Sequence, residues 1–504
     1  MNQRFAWITS PIIAALGGLA LSAAYSPIDR WFFAVIGLLM LFLVQWKSSN
    51  RMGFVTGFIF GLFSFFPQHM WLGVVGTDAH WLLSVYLAVW IGAIGAGSAF
   101  ISRRISTVPA VAVIAGLWVL EEALRGRYPF GGYPWARVVF SQVEGPFAQW
   151  AAIAGVPFVT AIVVACSASI AILVRDRSPT HLAFAVSVLG LSILVPYLYS
   201  PSTASEGTFT IGVIQGGTPQ TGLGALDVRR AVISNHVRET MELALDIDRG
   251  LVDKPELILW PENSSDLNPF SDEQAAVAIS TAASSIQTPI LVGAVVDSFD
   301  NPETEVYNMG ILWDPVTGPG DTYIKNAPVP FGEFIPFRSL LTRFIERYDR
   351  VPRDFAHGQE AGIFTINDVV LGDLICFEVA VDRVVNEVVK QGAEVILVQT
   401  NNATYANTAL PQQQLDIERM RAIEMNRAVV VAATTGISAS IEPDGTVTQI
   451  LNDGEVGSFV YSAPIIRDRT LGSIIGPTVE IVMALFALVV LIGIPLVSKY
   501  RRKS

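Results

Sequence analysis

Apolar residues run in eight long stretches, near Trp7–Tyr25, Trp31–Trp46, Gly53–His69, Trp81–Ala99, Val108–Leu124, Phe147–Val174, Leu182–Tyr199 and about Val479–Ser498. A helix needs about 20 apolar residues to cross the hydrocarbon core, so the pattern predicts eight spanning helices. The second stretch is short, and the sixth is long enough for a tilt or a re-entrant piece. Between the seventh and eighth the periodicity changes. From Thr208 to about Ile466, short β-branched runs alternate with amphipathic segments. Strands are predicted at Phe209–Ile214, Leu257–Trp260, Pro289–Val296, Tyr307–Trp313, Gly362–Asn367, Val370–Cys376, Glu394–Gln399, Val429–Thr434 and Ser438–Glu442. Helices are predicted near Asp227–Arg249, Asp272–Ile286, Val381–Gln391 and Gln412–Arg427. Such alternation makes an α/β domain with a largely covered sheet.

Composition agrees with a chain that is partly outside water. Apolar residues are 51% and charged residues 15% of 504, against about 25% charged in soluble domains. Residues 1–199 hold six acids and eleven Lys or Arg, residues 200–470 hold 37 and 18, and residues 471–504 hold one and four. The net charges of +5, −19 and +3 sum to −11. The predicted division is therefore a seven-helix membrane domain at 1–200, an acidic α/β domain at 201–470, and a C-terminal transmembrane helix with a basic tail at 471–504. The acidic balance speaks against a nucleic-acid binder. Two cysteines make no disulfide framework, and five scattered histidines suggest no metal site. Arg4 before an apolar run imitates a signal peptide, but six further spans follow and no small-residue cleavage site precedes them.

Lys and Arg in short loops orient the spans. Arg4, Lys47 and Arg51, Arg103 and Arg104, Arg175 and Arg177, then Lys499, Arg501, Arg502 and Lys503 fall in one set of connections. That set is expected to be cytoplasmic, with both termini inside and the acidic domain outside. The opposite set contains Arg30 and the run Arg125 to Arg137, whose three arginines and four aromatics include Tyr133 and Trp135. Composition leaves two readings of that run open: lipid-phosphate ligands, or an aromatic belt with anchoring arginines.

Three residues of the acidic domain carry candidate chemistry. Cys376 ends an apolar run with helical sequence soon after it, which suits either a nucleophile held at a strand-to-turn-to-helix place or a buried, inert cysteine; Cys166, mid-span in apolar surroundings, fits the second. Glu262 follows a buried strand beside Trp260 and Pro261, a partly desolvated setting for a general base or a simple turn cap. Lys325, one of six lysines, sits among apolar residues and three prolines, with Glu333 downstream. A fixed ammonium there can stabilise an oxyanion.

Trp-Pro-Glu262, Lys325 followed by Pro-Phe-Gly-Glu333, and Ile-Cys376-Phe-Glu378 resemble the Glu–Lys–Cys motifs of the carbon–nitrogen hydrolase (nitrilase) superfamily. With seven leading spans and one trailing span, the whole chain resembles its membrane-embedded branch, the apolipoprotein N-acyltransferases. The likeness extends to Tyr-Asn308, Gly-Tyr133-Pro-Trp135 and Arg-Met-Arg-Ala-Ile-Glu424. It departs at Thr404, where the family carries an aromatic residue, and at Gln412.

The resemblance implies a nitrilase-like αββα sandwich on the outer side of a bacterial plasma membrane, and no cofactor. It implies Glu262, Lys325 and Cys376 as catalytic residues, with Glu333, Glu378, Asn308 and Phe377 in support. Tyr133, Trp135, Asn401 and Tyr405 become candidates for substrate binding. The implied reaction moves an acyl chain from a phospholipid through a Cys376 thioester to the α-amine of a diacylglyceryl cysteine on an apolipoprotein. In some members a polyprenol-phosphate mannose synthase is a partner. Phe334–Phe355, where Phe337, Leu340, Leu341, Phe344, Ile345 and Tyr348 interleave with Arg338, Arg343, Arg347, Arg350 and Arg353, suits an interfacial lid or a helix packed on the domain. Two other functions compete: a membrane-tethered amidase with water as acceptor, and a transporter or receptor with an outer ligand domain.

Overall fold

The computed structural model describes residues 3–199, 201, 205–224, 228 and 230–501, with no side-chain description for 3–6, 350 and 495–501. Asp227, at the predicted start of a helix, and the tail residues Arg502 and Lys503 lie outside the described residues. The chain divides into two compact units, Met1–Pro201 with Thr470–Ser504, and Ser202–Arg469.

The first unit is helical: α1 (Gln3–Ser22), α2 (Phe32–Gln45), α3 (Asn50–Gln68), α4 (Thr77–Ser102), α5 (Thr107–Arg125), α6 (Trp150–Ala154), α7 (Val156–Arg175), α8 (Pro179–Tyr197) and a C-terminal helix, Leu471–Arg501. Among the described residues five helices are long and apolar enough to cross a membrane: α4, α5, α7, α8 and Leu471–Ile494 of the last helix. Trp7–Ser22 and α2 are apolar but shorter. The sixth predicted span is not one helix. Gly155, at φ +82°, separates α6 from α7.

Small residues let these helices approach closely, the usual packing device where lipid gives no hydrophobic drive. A Cβ on Gly57 would lie 2.4 Å from Ile91 O, and one on Gly53 2.4 Å from Gly95 O, so α3 and α4 touch along their backbones. Gly472 of the C-terminal helix is set against Ala151 O in the same way. The outward faces stay apolar: Leu182, Val186, Leu191 and Leu194 of α8 are more than half exposed. In water such faces would be costly; in lipid they are not.

The arginines at the end of α5 and after it are not free phosphate ligands. Arg125 is buried, its Nε donating to Glu121 Oε1 at 2.7 Å and its Nη1 to the carbonyls of Tyr133 and Trp135 at 3.0 and 2.8 Å. Arg137 is buried against Glu122, which also accepts from Val138 N and Thr160 Oγ1. Arg127 binds Glu480. Consecutive glutamates on α5 thus neutralise two cations and tie the following loop back to the helix.

The second unit is built from β1 (Thr208–Gln215), α9 (Ala231–Asp248), β2 (Leu257–Leu259), α10 (Glu273–Ile286), β3 (Ile290–Asp297), β4 (Glu305–Asp314), β5 (Gly318–Ile324), α11 (Arg338–Leu341), β6 (Asp354–Phe355), β7 (Ile363–Ile366), β8 (Val369–Ile375), α12 (Asp382–Lys390), β9 (Val395–Thr400), α13 (Leu410–Met425), β10 (Ala428–Ala433), β11 (Ser438–Ile441), β12 (Val447–Leu451) and β13 (Gly457–Pro464). One sheet is ordered β13-β1-β2-β3-β4-β5 with β6 beside β4, and the other β12-β11-β10-β9-β8-β7. Strands β1, β2 and β3 are parallel, as are β8, β9 and β10.

Alternation decides the layers. Phe209, Ile211 and Val213 of β1 join Leu371, Leu397 and Val430 in a core between the sheets. Ile214, Ile258 and Val292 turn the other way, toward Ile233, Leu243 and Ile279 of α9 and α10. With α12 and α13 against β8 and β10, the layers are helix, sheet, sheet, helix. Strands buried on both faces read as continuous apolar runs, hence Val-Ile-Leu-Val in β9 and Ala-Val-Val-Val in β10.

The nine predicted strands are present with ends shifted by a residue or two, whereas β5, β6, β12 and β13 were not predicted. The β5 sequence Gly-Pro-Gly-Asp-Thr-Tyr-Ile has one apolar face residue in its first six and gives no period-two signal. Phe334–Phe355 is not a single amphipathic helix. It breaks into α11, a short 3₁₀ turn and β6, and leaves Phe337 and Phe344 68% and 78% exposed.

Replacing Gly57 by leucine, at the α3–α4 contact, is expected to destabilise the first unit by about 1–3 kcal/mol through overpacking. A lowered thermal midpoint of the detergent-solubilised protein is the readout, and an unchanged midpoint would contradict the backbone contact.

Candidate active site

Four strand ends from two sheets supply the site. Glu262 follows β2, Lys325 follows β5, Cys376 follows β8 and Asn401 follows β9. Parallel strands aim their C-terminal ends to one side, where α/β folds generally hold ligands.

Lys325 is 1% exposed. Its Nζ donates to Glu262 Oε1 at 3.0 Å and to Glu333 Oε1 at 2.9 Å. Asn308 Nδ2, from β4, donates to the same two oxygens at 2.6 and 2.9 Å. One ammonium and one amide therefore bridge two carboxylates. Burial opposes the lysine's charge, but Glu262, Glu333 and Cys376 together push its pKa well above the ordinary lysine value. Glu333 is held in turn by Val329 N, which donates to its Oε2 at 2.6 Å, and by Phe355 N, which donates to its carbonyl. Glu262 is fixed from behind, its carbonyl accepting from Thr434 Oγ1 at 2.8 Å.

Cys376 takes φ +56°, a left-handed conformation rare outside glycine, at the first residue of the 3₁₀ turn Cys376–Ala380 that also contains Phe377. Strain of this kind costs about 1–3 kcal/mol and collects at functional sites. Glu378 holds the turn. Its buried carboxylate accepts from Ile375 N at 2.8 Å, Asn326 N at 2.6 Å, Ala327 N at 2.9 Å and Tyr323 Oη. One side chain thus ties the turn bearing Cys376 to the chain on both sides of Lys325.

The thiol is pushed up to about 12, by burial first and then by the Glu262 charge, with Lys325 and a hydrogen bond from Thr400 pulling the other way. The balance favours the neutral thiol, whereas a thiol reacts as its thiolate. Tyr405 is a neighbour of the sulfur: burial first, and then Cys376, raise its phenol to about 12. Asn401 Nδ2 donates to Asn263 Oδ1 at 3.1 Å, which joins the β9 end to the loop after Glu262.

The structure thus brings together Glu262, Asn308, Lys325, Glu333, Cys376, Phe377, Glu378, Asn401 and Tyr405. Tyr133 and Trp135 belong to the first unit, where Arg125 holds their carbonyls. Sequence reasoning did not single out Tyr323 or Thr400. Tyr323 sits two residues before Lys325 and Thr400 ends a buried strand, so strand-end position was the available signal. Among the described residues no three His, Cys, Asp or Glu side chains are grouped as a metal site.

Residues 17–169 match the family described as apolipoprotein N-acyltransferase N-terminal domain, and residues 234–469 match carbon-nitrogen hydrolase. An amidase from Nesterenkonia sp. aligns at 16% identity over 53% of this chain and 94% of its own, with a TM-score of 0.37. The second unit is a carbon–nitrogen hydrolase domain, carried in one chain with apolar helices that can span a membrane. The chain is 35% identical over 464 residues to apolipoprotein N-acyltransferase of Mycolicibacterium smegmatis, covering 86% of this chain and 77% of that one. It is 27% identical over 476 residues to that of Pseudomonas putida, covering 88% and 89%. The chain belongs to the apolipoprotein N-acyltransferase family.

The charges acting on Cys376 make a signed prediction for its alkylation by iodoacetamide. Glu262→Gln removes a charge that raises the thiol pKa, so alkylation at a fixed, mildly alkaline pH should speed up. Lys325→Met removes one that lowers it, so alkylation should slow. Each change is expected to be about tenfold or more, since a nearby charge shifts a pKa by about one to three units. Mass spectrometry of the Cys376 peptide reads the rates, and equal rates in all three proteins would remove Cys376 from this charge cluster.

Proposed function

We propose that this chain transfers an acyl group from a membrane phospholipid, through a thioester on Cys376, to the α-amine of an S-diacylglyceryl cysteine at an apolipoprotein N-terminus. The observation that carries this reading is the Lys325 ammonium held between Glu262 and Glu333, whose charges act on Cys376, in a chain of this family. Glu262 accepts the thiol proton as sulfur attacks the ester carbonyl. Lys325, with a backbone N–H near Phe377, stabilises the tetrahedral oxyanion. The carbon–oxygen bond breaks, the leaving alkoxide takes the proton from Glu262, and lysophospholipid departs. The amine nitrogen then attacks the thioester, Glu262 takes the amine proton, and the carbon–sulfur bond breaks to give the amide. The same proton returns to sulfur. Glu333 and Asn308 keep Lys325 and Glu262 in place through both halves, and Glu378 keeps Cys376 exposed to them. Asn401 and Tyr405 are proposed to line the acceptor side and Tyr133 to contact lipid, whereas Trp135 is buried within the first unit and offers lipid no surface.

Both substrates are lipid-anchored, and drawing acyl chains into water would cost about 0.8 kcal/mol per methylene. The proposed topology meets this constraint. Eight spans with both termini cytoplasmic, as the loop arginines and lysines favour, put the catalytic unit on the outer face of a bacterial plasma membrane. The exposed Phe337, Leu340 and Phe344 then form a surface suited to the interface. Hydrolysis with water as acceptor is not favoured, because the relatives at 35% and 27% identity are named as acyltransferases.

The test is the intact mass of detergent-purified protein given phospholipid without acceptor. One acyl chain should appear on Cys376, be absent from Cys376→Ser, and leave when a diacylglyceryl-cysteine peptide is added and becomes N-acylated. Glu262→Gln should slow acylation by about 10²–10⁴-fold, the scale of general-base catalysis. Acyl transfer that survives in Cys376→Ser would refute the thioester route.

A further inference from the structure

Asp373 is fully buried and lies on β8 between Leu371 and Ile375, at the spacing that turns it into the core between the sheets. Gln399 follows Leu397 on β9 in the same sense. The two strands are adjacent and parallel, with Asp373 opposite Leu397 and Ile375 opposite Gln399, so Asp373 and Gln399 are diagonal neighbours within side-chain reach. Both carboxyl oxygens of Asp373 and Oε1 of Gln399 are buried without a hydrogen-bond partner. They also converge. A Cβ on Gly310 of β4 would lie 2.7 Å from Asp373 Oδ2 and 2.9 Å from Gln399 Oε1.

An ionised Asp373 would set three buried acceptors together with no side-chain donor turned toward them, an arrangement that folded proteins avoid. Turning the Gln399 amide over would offer the carboxylate an N–H. It would also forfeit the bonds that Gln399 Nε2 donates to Trp260 O at 2.6 Å and Leu291 O at 3.3 Å. A proton on Asp373 resolves the conflict and leaves those bonds intact. Burial first, and then the charge of Glu378 from the turn after its own strand, favour the same state against a pull from the Leu374 N–H, and Tyr323 on β5 is also an acid. The neighbouring strands bring Gly310, Leu312, Leu397 and Gln399, none of which is charged.

We propose that Asp373 is un-ionised in the folded protein and donates its proton to Gln399 Oε1, which makes it a positioning residue for Glu262. The lock runs from β8, which ends in Cys376, through Gln399 to the carbonyl of Trp260, two residues before Glu262. It holds the base-bearing strand end of one sheet against the nucleophile-bearing strand of the other. This inference rests on Glu262 being the base of the acylation step.

Infrared difference spectra of the full-length protein in detergent, wild type minus Asp373→Asn, should show the C=O stretch of one un-ionised carboxyl. Asparagine keeps an N–H for Gln399, so Asp373→Asn should acylate Cys376 at the wild-type rate. Asp373→Leu cannot donate and should be slower by about 10²-fold, the scale of a 1 Å misplacement, with KM for the phospholipid unchanged. Absence of the carboxyl band overturns the proposal. So does an Asp373→Asn protein as slow as Asp373→Leu, or an Asp373→Leu protein as fast as wild type. Wild-type protein that is never acylated would overturn the role of Glu262 and the positioning role with it, and the band would still report the proton.

Discussion

A lysine ammonium taken almost wholly out of water survives only if its charge is met at hydrogen-bond distance, and Lys325 is met twice, by Glu262 and Glu333. Removing either partner of such a buried pair costs about 3–5 kcal/mol, because the remaining charge is stranded. Much of the second unit follows from that demand. β2 must end where Glu262 can reach the ammonium, β5 must end at Lys325, and the loop after β5 must fold back to return Glu333. Asn308 on β4 supplies the donor that lets two carboxylates lie so close. Burial first, and then the Glu262 charge of this cluster, favour the neutral form of the nearby thiol. In the proposed reaction, attack by sulfur is therefore tied to proton transfer rather than to a standing thiolate.

Around this cluster, backbone and side chain are fixed by different means. Cys376 is held by conformation, in a left-handed turn that Glu378 secures with three backbone N–H groups and the Tyr323 hydroxyl. Glu262 is held by neighbours, through its own carbonyl on Thr434 and through Trp260 O on Gln399. The two sheets meet through these bonds as well as through the apolar core. The distance between Cys376 and Glu262 is thus set by sheet packing, which is stiff, rather than by a loop.

The first unit solves a different problem. Its outer surface is apolar, so burial of apolar area cannot by itself decide how its helices pack. Glycines set backbone against backbone between α3 and α4 and at the break between α6 and α7, and the buried Glu–Arg pairs of α5 fix the loop that follows. Both devices are local and directional, which suits a medium that provides no general hydrophobic drive.

Long apolar runs and period-two alternation determined a great deal by themselves. They gave the helical flanks, the α/β centre, nine of its strands, and the strand-end positions of Glu262 and Cys376, because each signal depends only on neighbours in sequence. What failed depended on partners elsewhere in the chain. β5 has no apolar alternation and exists because β4 pairs with it; Gly155 breaks a run that looked continuous; Arg125 and Arg137 look like exposed cations until Glu121 and Glu122 are found beside them. The sequence placed Glu262, Lys325, Glu333 and Cys376 on separate elements across more than a hundred residues. That one ammonium would bridge two of these carboxylates, and that Asp373 would face Gln399 across adjacent strands, was decided only by how the strands pair and the sheets stack, since hydrogen bonds between distant residues leave no periodic trace along the chain.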